Sequence, residues 1–318
     1  MAWRDLLAYL SCKSSHAHSK CLHLVFLSYA TGSKVKCYIL NKVTLQTIST
    51  KSTVLALSAS GASASVSLRN KQNYRQDHRQ DYRTQTLDWV STQANQQSEQ
   101  LLPAIADLLS QAQLMQPDVI AVDIGPGAFT SVRVAVGVAQ GLALAWGCGL
   151  VGVNSLAAMA YSAPTQIAGT RIAAVLDARM GECYAAVFER AGVNQKSTLS
   201  QIAAPQLLAY GDFAVWAKAR HGAAHWVGNC ANLIPEWGQE NRAATDTQPD
   251  SAGVLAAFDA ALALGVLAIL APEDVQPLYV RNQVAFTTAQ RAEQSLLKAQ
   301  AHSHSHSHSH SHSHSRVQ

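Results

Sequence analysis

The stretch DVIAVDIGPGAFTSVRVAVGVAQGLALA, running from Asp118 to Ala145, narrows the fold more than any other part of the chain. Val119 to Val122 is a continuous apolar run of strand length, the pattern of a strand buried on both faces. Gly125, Pro126 and Gly127 break it, and the hydrophobic period then changes to that of a helix over about Thr130 to Ala145. Strand, tight turn and helix in that order form the unit of an α/β protein. Gly137 and Gly141 stand one turn apart inside the expected helix, where each costs about 1 kcal/mol relative to alanine. That spacing suggests close approach of another backbone, inside the domain or across a subunit contact.

The flanking text extends this unit. VLALSASGASASVSL from Val54 reads as two strands in a hairpin, with alternation at Ala64, Val66 and Leu68. YRQDHRQDYR (Tyr74 to Arg83) carries mixed charges at close spacing, which favours a solvated loop or hairpin extension over an RNA-binding patch. Leu101, Leu102, Ile105, Leu108 and Leu109 mark one helical face, and Pro103 places the helix start near Gln100, for a helix to about Ala112. Further on, RIAAVLDARMGECYAAVFER has strand periodicity on both sides of a Met-Gly turn, and HWVGNCANL resembles a strand and turn. Asp250 to Leu264 reads as a helix with Val254, Leu255, Phe258, Ala261 and Leu262 inward. Hairpin, helix and strand therefore occur twice, giving a first α/β domain over 53–160 and a second, smaller one over 161–286.

Charge is uneven. Of 24 basic and 20 acidic residues, seven and one respectively fall within residues 1–52, so the body beyond is slightly acidic and carries no global footprint for a phosphate backbone. Residues 1–52 lack sustained periodicity and are expected to be either an appendage or, the favoured reading, a start assigned too far upstream. Residues 287–318 read as a polar helix followed by a His-Ser tail. His302, His304, His306, His308, His310, His312 and His314 alternate with serine, which fits weak, non-specific metal binding without a tetrahedral site. The six cysteines lack CxxC spacing and are expected as reduced thiols. No apolar run near the start is long enough to span a bilayer, so a cytoplasmic protein without membrane association is expected.

The Gly-Pro-Gly turn is the sharpest candidate for chemistry, because N–H groups between a strand and a helix N-terminus can cradle a phosphate or carboxylate. It is not a Walker loop, since no Lys-Ser/Thr follows, and it is not GxGxxG. Arg133 in the first helical turn opposes the helix dipole and is expected to pair with an acid, or with an incoming anion. His221 and His225 are four residues apart, but Gly222 and the following strand argue against a shared helix face. Ser131 has no nearby His base, and neither HExxH nor GxSxG occurs.

With GPGAFTSVR, VGVAQGLALA, GVNSLAAMA, LDARMGECYAAVFER and PLYVRNQVA in one order, the chain resembles the TsaB (YeaZ) family from Val54 to about Ala285. The resemblance implies two ribonuclease-H-like, actin-like ATPase-type domains, the second smaller, with irregular N- and C-terminal extensions. It implies an accessory subunit that pairs with a TsaD-type transferase, which places threonylcarbamoyl on N6 of the adenosine beside the anticodon of tRNAs reading codons that begin with A. A TsaE-type ATPase joins through that complex, tRNA is met only indirectly, and a homodimer is the alternative state of the subunit alone. No cofactor and no catalytic residue is implied. The family's first strand usually ends in Asp-Thr-Ser, where Ser58, Ala59 and Ser60 stand here, so Ser58, Ser60, Gly125 and Gly127 are expected as degenerate phosphate-loop positions. The implied partner surface comprises Leu101, Leu102, Ile105, Thr130, Arg133, Val136, Gly137, Gln140 and Gly141. The main competing expectation is an active small-molecule kinase or ATPase of the same fold; a metallopeptidase and a metal-delivery protein built on the His-Ser tail are further alternatives.

Overall fold

In a computed structural model the repeat read from the sequence appears as two sheets with the same strand order. The structure describes residues 48–281 apart from 51, 77–78, 92–96, 164–168, 192–197, 224, 235 and 238–246, and gives only the backbone of 71–76, 79–83 and 97–98. Strands β1 (Val54–Ser58), β2 (Ser65–Gln76) and β3 (Arg79–Val90) form an antiparallel meander. Helix α1 (Gln97–Gln111) returns the chain so that β4 (Val119–Gly125) pairs parallel with β1. Helix α2 (Phe129–Trp146) leads to β5 (Gly149–Asn154), completing the order β3-β2-β1-β4-β5.

After α3 (Ser155–Ser162) the pattern recurs. Strands β6 (Arg171–Arg179), β7 (Glu182–Ala191) and β8 (Thr198–Ala209) make a second meander. Helix α4 (Tyr210–Val215) runs into a π-helical turn over Trp216–Arg220, and β9 (His225–Gly228) pairs parallel with β6. The order is β8-β7-β6-β9, with no counterpart of β5 among the described residues. The charged repeat around Tyr74 lies in the β2–β3 pairing, with Tyr74 opposite Asp81, so of the two expectations it is the hairpin extension.

Period-two alternation sets the layers. Leu55, Leu57, Ile120 and Val122 face a cluster built with Leu101, Ile105, Leu108, Val132, Val136 and Ala139 of α1 and α2. Val54, Ala56, Val119 and Ala121 face the opposite way, onto Ala158 and helix α5 (Ser251–Leu264) through Val254, Leu255 and Phe258. Burying each large aliphatic side chain contributes about 1.5–3 kcal/mol, so these two faces dominate the first lobe's stability. Helix α5, expected inside the second domain, thus packs on the first sheet, on the face it shares with α3. Asp250 caps it, accepting from the Gly253 N–H at 2.7 Å.

In the second lobe, Trp226, Trp237, Phe213 and Trp216 fill one face of the sheet. The other face packs Ile172, Ala174, Leu176 and Val227 onto Leu156, Met159 and Ala160 of α3, so this helix lies between the sheets.

Two helical details depart from expectation. Helix α1 begins at Gln97, which puts Pro103 in its interior. Proline removes the donor for the Glu99 carbonyl, and Glu99 is exposed, so solvent can satisfy that oxygen. In α2, a Cβ at Gly137 or Gly141 would meet nothing within 4 Å, so neither glycine accommodates a neighbouring backbone inside the protein. The close helix crossing lies elsewhere: a Cβ at Gly253 would collide with the Ala158 carbonyl and the Ser162 hydroxyl where α5 meets α3. Helix α2 is also long and apolar enough to cross a membrane (mean hydropathy 1.3), but Val132, Ala135, Val136, Ala139 and Ala143 bury one of its faces in the protein. The polar helix and the His302–His314 tail lie outside the described residues, as does all of 1–52 except 48–50 and 52.

Candidate functional site

The four phosphate-loop positions converge, and what they surround is an acid. Asp123, near the end of β4, is fully buried. Its Oδ2 accepts from the Ser58 hydroxyl at 2.8 Å and from the Ser60 hydroxyl. Its Oδ1 accepts from the Gly125 N–H at 2.9 Å and from the Ser155 hydroxyl at the start of α3. A carboxylate offers about four lone-pair positions, and all of them are taken. Burial raises the Asp123 pKa; the bonds from Ser155, Ser60, Gly125 and Ser58 work against that rise without cancelling it.

The turn that follows is closed upon itself. Pro126 has no N–H, the Gly125 N–H is spent on Asp123, and the Ala128 N–H donates to the Ser60 carbonyl at 3.0 Å. Two N–H groups of the expected anion cradle are therefore taken by the protein's own oxygens. Gly125 has a φ of 98°, and Gly127 lies against Ser60 with no room for a side chain.

A cleft of about 290 Å³ opens beside this turn, between the lobes. Pro126, Phe129 and Val132 line it from the first lobe, and Asp177, Tyr184 and Asn229 from the second. Asp177 Oδ1 accepts from the Tyr210 hydroxyl at 2.7 Å and from the Arg179 N–H at 2.6 Å, while the Asp177 N–H donates to Asn229 Oδ1 at 2.8 Å. The Tyr210 phenol is pushed well above its usual pKa, first by burial and then by the bond it donates to Asp177.

Arg133 is held by aromatic side chains, not by an acid, among the described residues. Its Nε donates to the Tyr279 hydroxyl at 2.8 Å, and its guanidinium carbon stands 3.4 Å from the centroid of the Phe129 ring. A neutral hydroxyl and an aromatic face stabilise the cation where an acid was anticipated. Among the described residues, no three His, Cys, Asp or Glu side chains group to hold a metal. His221 packs edge-on to Trp216 after the π-helical turn, and His225 opens β9, so the two do not share a helix face.

The expected partner surface divides. Leu101, Ile105 and Val136 point into the core at 0–2% exposure and cannot meet a partner. Gln140 is half-buried, with its Nε2 donating to the Val275 carbonyl at 2.9 Å. Leu102, Thr130, Arg133, Gly137 and Gly141 face outward, joined by the exposed Phe129 and Leu144. Sequence reasoning passed over Asp123, Ser155 and Tyr279. Only Asp123 had a visible signal: a lone acid inside an apolar strand is rare unless it is paired.

Two mixed sheets that repeat one order, with the loops after β1 and β4 meeting at a buried acid, define an α/β protein of the ribonuclease-H-like, actin-like class. The family profile described as "TsaD: tRNA N6-adenosine threonylcarbamoyltransferase" matches residues 91–226. An Escherichia coli protein, "tRNA threonylcarbamoyladenosine biosynthesis protein TsaB", is 30% identical over 199 residues, 59% of this chain and 82% of the relative. "YeaZ from Pseudomonas aeruginosa" aligns in structure with a TM-score of 0.57 at 30% identity, covering 72% of this chain and 99% of that one. A second Pseudomonas aeruginosa structure, of an uncharacterized protein with similarity to peptidase YEAZ, gives a TM-score of 0.59 at 29% identity over 72% of this chain and all of that one. The chain belongs to the TsaB (YeaZ) family.

Proposed function

We propose that this chain serves tRNA threonylcarbamoyladenosine biosynthesis as a non-catalytic docking subunit, binding and activating a TsaD-type transferase. The observation that carries the reading is the state of Asp123: the acid at the loop junction has every acceptor position occupied by Ser58, Ser60, Ser155 and Gly125. A carboxylate so engaged has nothing left to give a metal-nucleotide complex, and the Gly125 and Ala128 N–H groups are engaged as well. The family name borne by the Escherichia coli relative, and the match of residues 91–226 to the transferase's own profile, support a partner built on a related fold.

The docking face we assign comprises Leu102, Thr130, Arg133, Gly137 and Gly141 with Phe129 and Leu144, carried by the domain of residues 53–160 as completed by α5. Two glycines open to the outside cost helix stability with no return inside the protein, which is understandable where a second helix must cross closely. A TsaE-type ATPase would join through the transferase and tRNA would be met indirectly. A homodimer through the same face is the alternative state of the subunit alone.

The test is co-purification with the transferase and mass-spectrometric measurement of threonylcarbamoyladenosine in bulk tRNA after replacing the native chain with Gly137→Trp or Leu102→Asp. Both variants should melt as the parent does yet lose the partner and the modification. Normal modification in cells lacking the chain would refute the pathway assignment, and ATP turnover by the purified chain would favour a kinase or ATPase of this fold.

A further inference from the structure

We infer that residues 275–281 form a clasp that fixes the width of the cleft between the lobes. Among the described residues the lobes are joined by the chain from α3 into β6 and by the packing of α3 against both sheets. The clasp adds a further tie at the cleft, made largely of side chains.

Its first-lobe end is anchored at several points. Gln140 Nε2 holds the Val275 carbonyl at 2.9 Å, and Val275 itself is buried in the α1–α2 cluster. The Leu278 N–H donates to the Ile124 carbonyl at 2.7 Å. Tyr279 accepts from Arg133 and stands 6.0 Å from the Phe129 ring, centroid to centroid. Its second-lobe end is Arg281, which donates to Glu182 at 2.6 Å and to the Ala178 carbonyl at 3.0 Å, gripping the β6–β7 turn. The Arg281 side chain is only 15% exposed, so this ion pair is better shielded than a surface pair. Leu278 to Arg281 line the cleft, so the clasp is also one of its walls. The grip is on a pre-set element, because Asp177 already holds the turn through the Arg179 N–H.

This inference is independent of the docking role, and interlobe distance tests it in the full-length chain. Cysteines placed at the exposed Met115 in the first lobe and Val215 in the second carry spin labels, with Cys12, Cys21 and Cys37 changed to serine. Cys148, Cys183 and Cys230 are buried and stay in place. The parent is expected to show one narrow distance distribution. Arg281→Ala removes charge-assisted hydrogen bonds and should raise the population of a longer distance about tenfold or more. Glu182→Ala, which leaves the clasp sequence untouched, should shift the distribution in the same direction. Distributions indistinguishable from the parent in both variants overturn the clasp.

Discussion

Gly127 passes so close to Ser60 that a Cβ at position 127 would stand 2.5 Å from both the Cβ and the carbonyl oxygen of Ser60. The Ala128 N–H bond to that same carbonyl, at 3.0 Å, fixes the two loops at this separation. One of the obstructing atoms is backbone, so no rotamer change can make room. Gly127→Ala should therefore destabilise the fold by about 1–3 kcal/mol through overpacking. Thermal denaturation should show a melting point lowered by roughly 2–4 °C per kcal/mol.

Gly137 presents the opposite case. It is exposed in mid-helix, has an ordinary helical φ, and has nothing within 4 Å of where a Cβ would lie. Gly137→Ala should stabilise the isolated chain by about 0.5–1 kcal/mol, since alanine loses less backbone entropy on entering a helix. Urea unfolding should show a higher midpoint with an unchanged slope. A lower midpoint would mean that the glycine is already needed within the protein.

Asp123 makes stability depend on pH in a defined direction. Its folded-state pKa lies above the ordinary carboxylate value of 3.8 because of burial. The folded state therefore holds a proton that the unfolded chain has already released, and the resulting contribution is complete below that ordinary value and lost as pH rises through the folded pKa. Asp123→Asn keeps the shape: its oxygen can accept from Gly125 and Ser155 while its amide donates to the Ser58 and Ser60 oxygens. The difference in unfolding free energy between parent and variant, measured from pH 4 upward, should shift progressively in favour of the variant. A difference independent of pH would show that Asp123 does not titrate differently in the two states.

Buried thiols give a chemical check on the same packing. Burial raises the pKa of Cys148 to about 11 and that of Cys183 to about 12, the latter with further help from Asp177 and Glu182. The thiolate is the reactive form, so both should resist iodoacetamide at pH 8 while the chain is folded and react fully in urea. Peptide mass spectrometry reads the outcome site by site. Fast labelling of Cys183 would mean that the β6–β7 hairpin opens frequently.

Much of this architecture was legible because periodicity reports burial directly. The runs at Val54 and Val119 gave strands, and the stretch after Thr130 gave a helix. Helix α5 was also legible as a helix, but its placement was not: an apolar stripe states that a face is covered, never which sheet covers it. The glycines of α2 misled for a related reason, because small residues at helical spacing look alike whether they meet a backbone or open to the outside. Leu101, Ile105 and Val136 were assigned to a surface although their spacing is that of the core stripe. At the site, Ser58 lacks a carboxyl group, yet one sits at Asp123 on the neighbouring strand, where only the parallel pairing of β1 with β4 brings it within reach.

The β6–β7 turn shows how one carboxylate can hold strained backbone. Arg179 and Met180 both adopt left-handed backbone, with φ of 65° and 60°, before Gly181 at 82°, where the sequence suggested a simple Met-Gly turn. Such residues persist only where their surroundings over-determine them. Here Asp177 Oδ1 accepts from both the Arg179 N–H and the Tyr210 hydroxyl. Asp177→Ala should cost about 1–3 kcal/mol, partly from the lost turn bond and partly from leaving the Tyr210 hydroxyl without its acceptor. Tyr210→Phe alone should cost about 1 kcal/mol, but in the Asp177→Ala background it should cost nothing or restore part of the loss, because the stranded hydroxyl is gone. Denaturant unfolding of the four species closes this cycle. Strict additivity would mean that the hydroxyl and the carboxylate do not act on one another, and that the turn is held by its backbone alone.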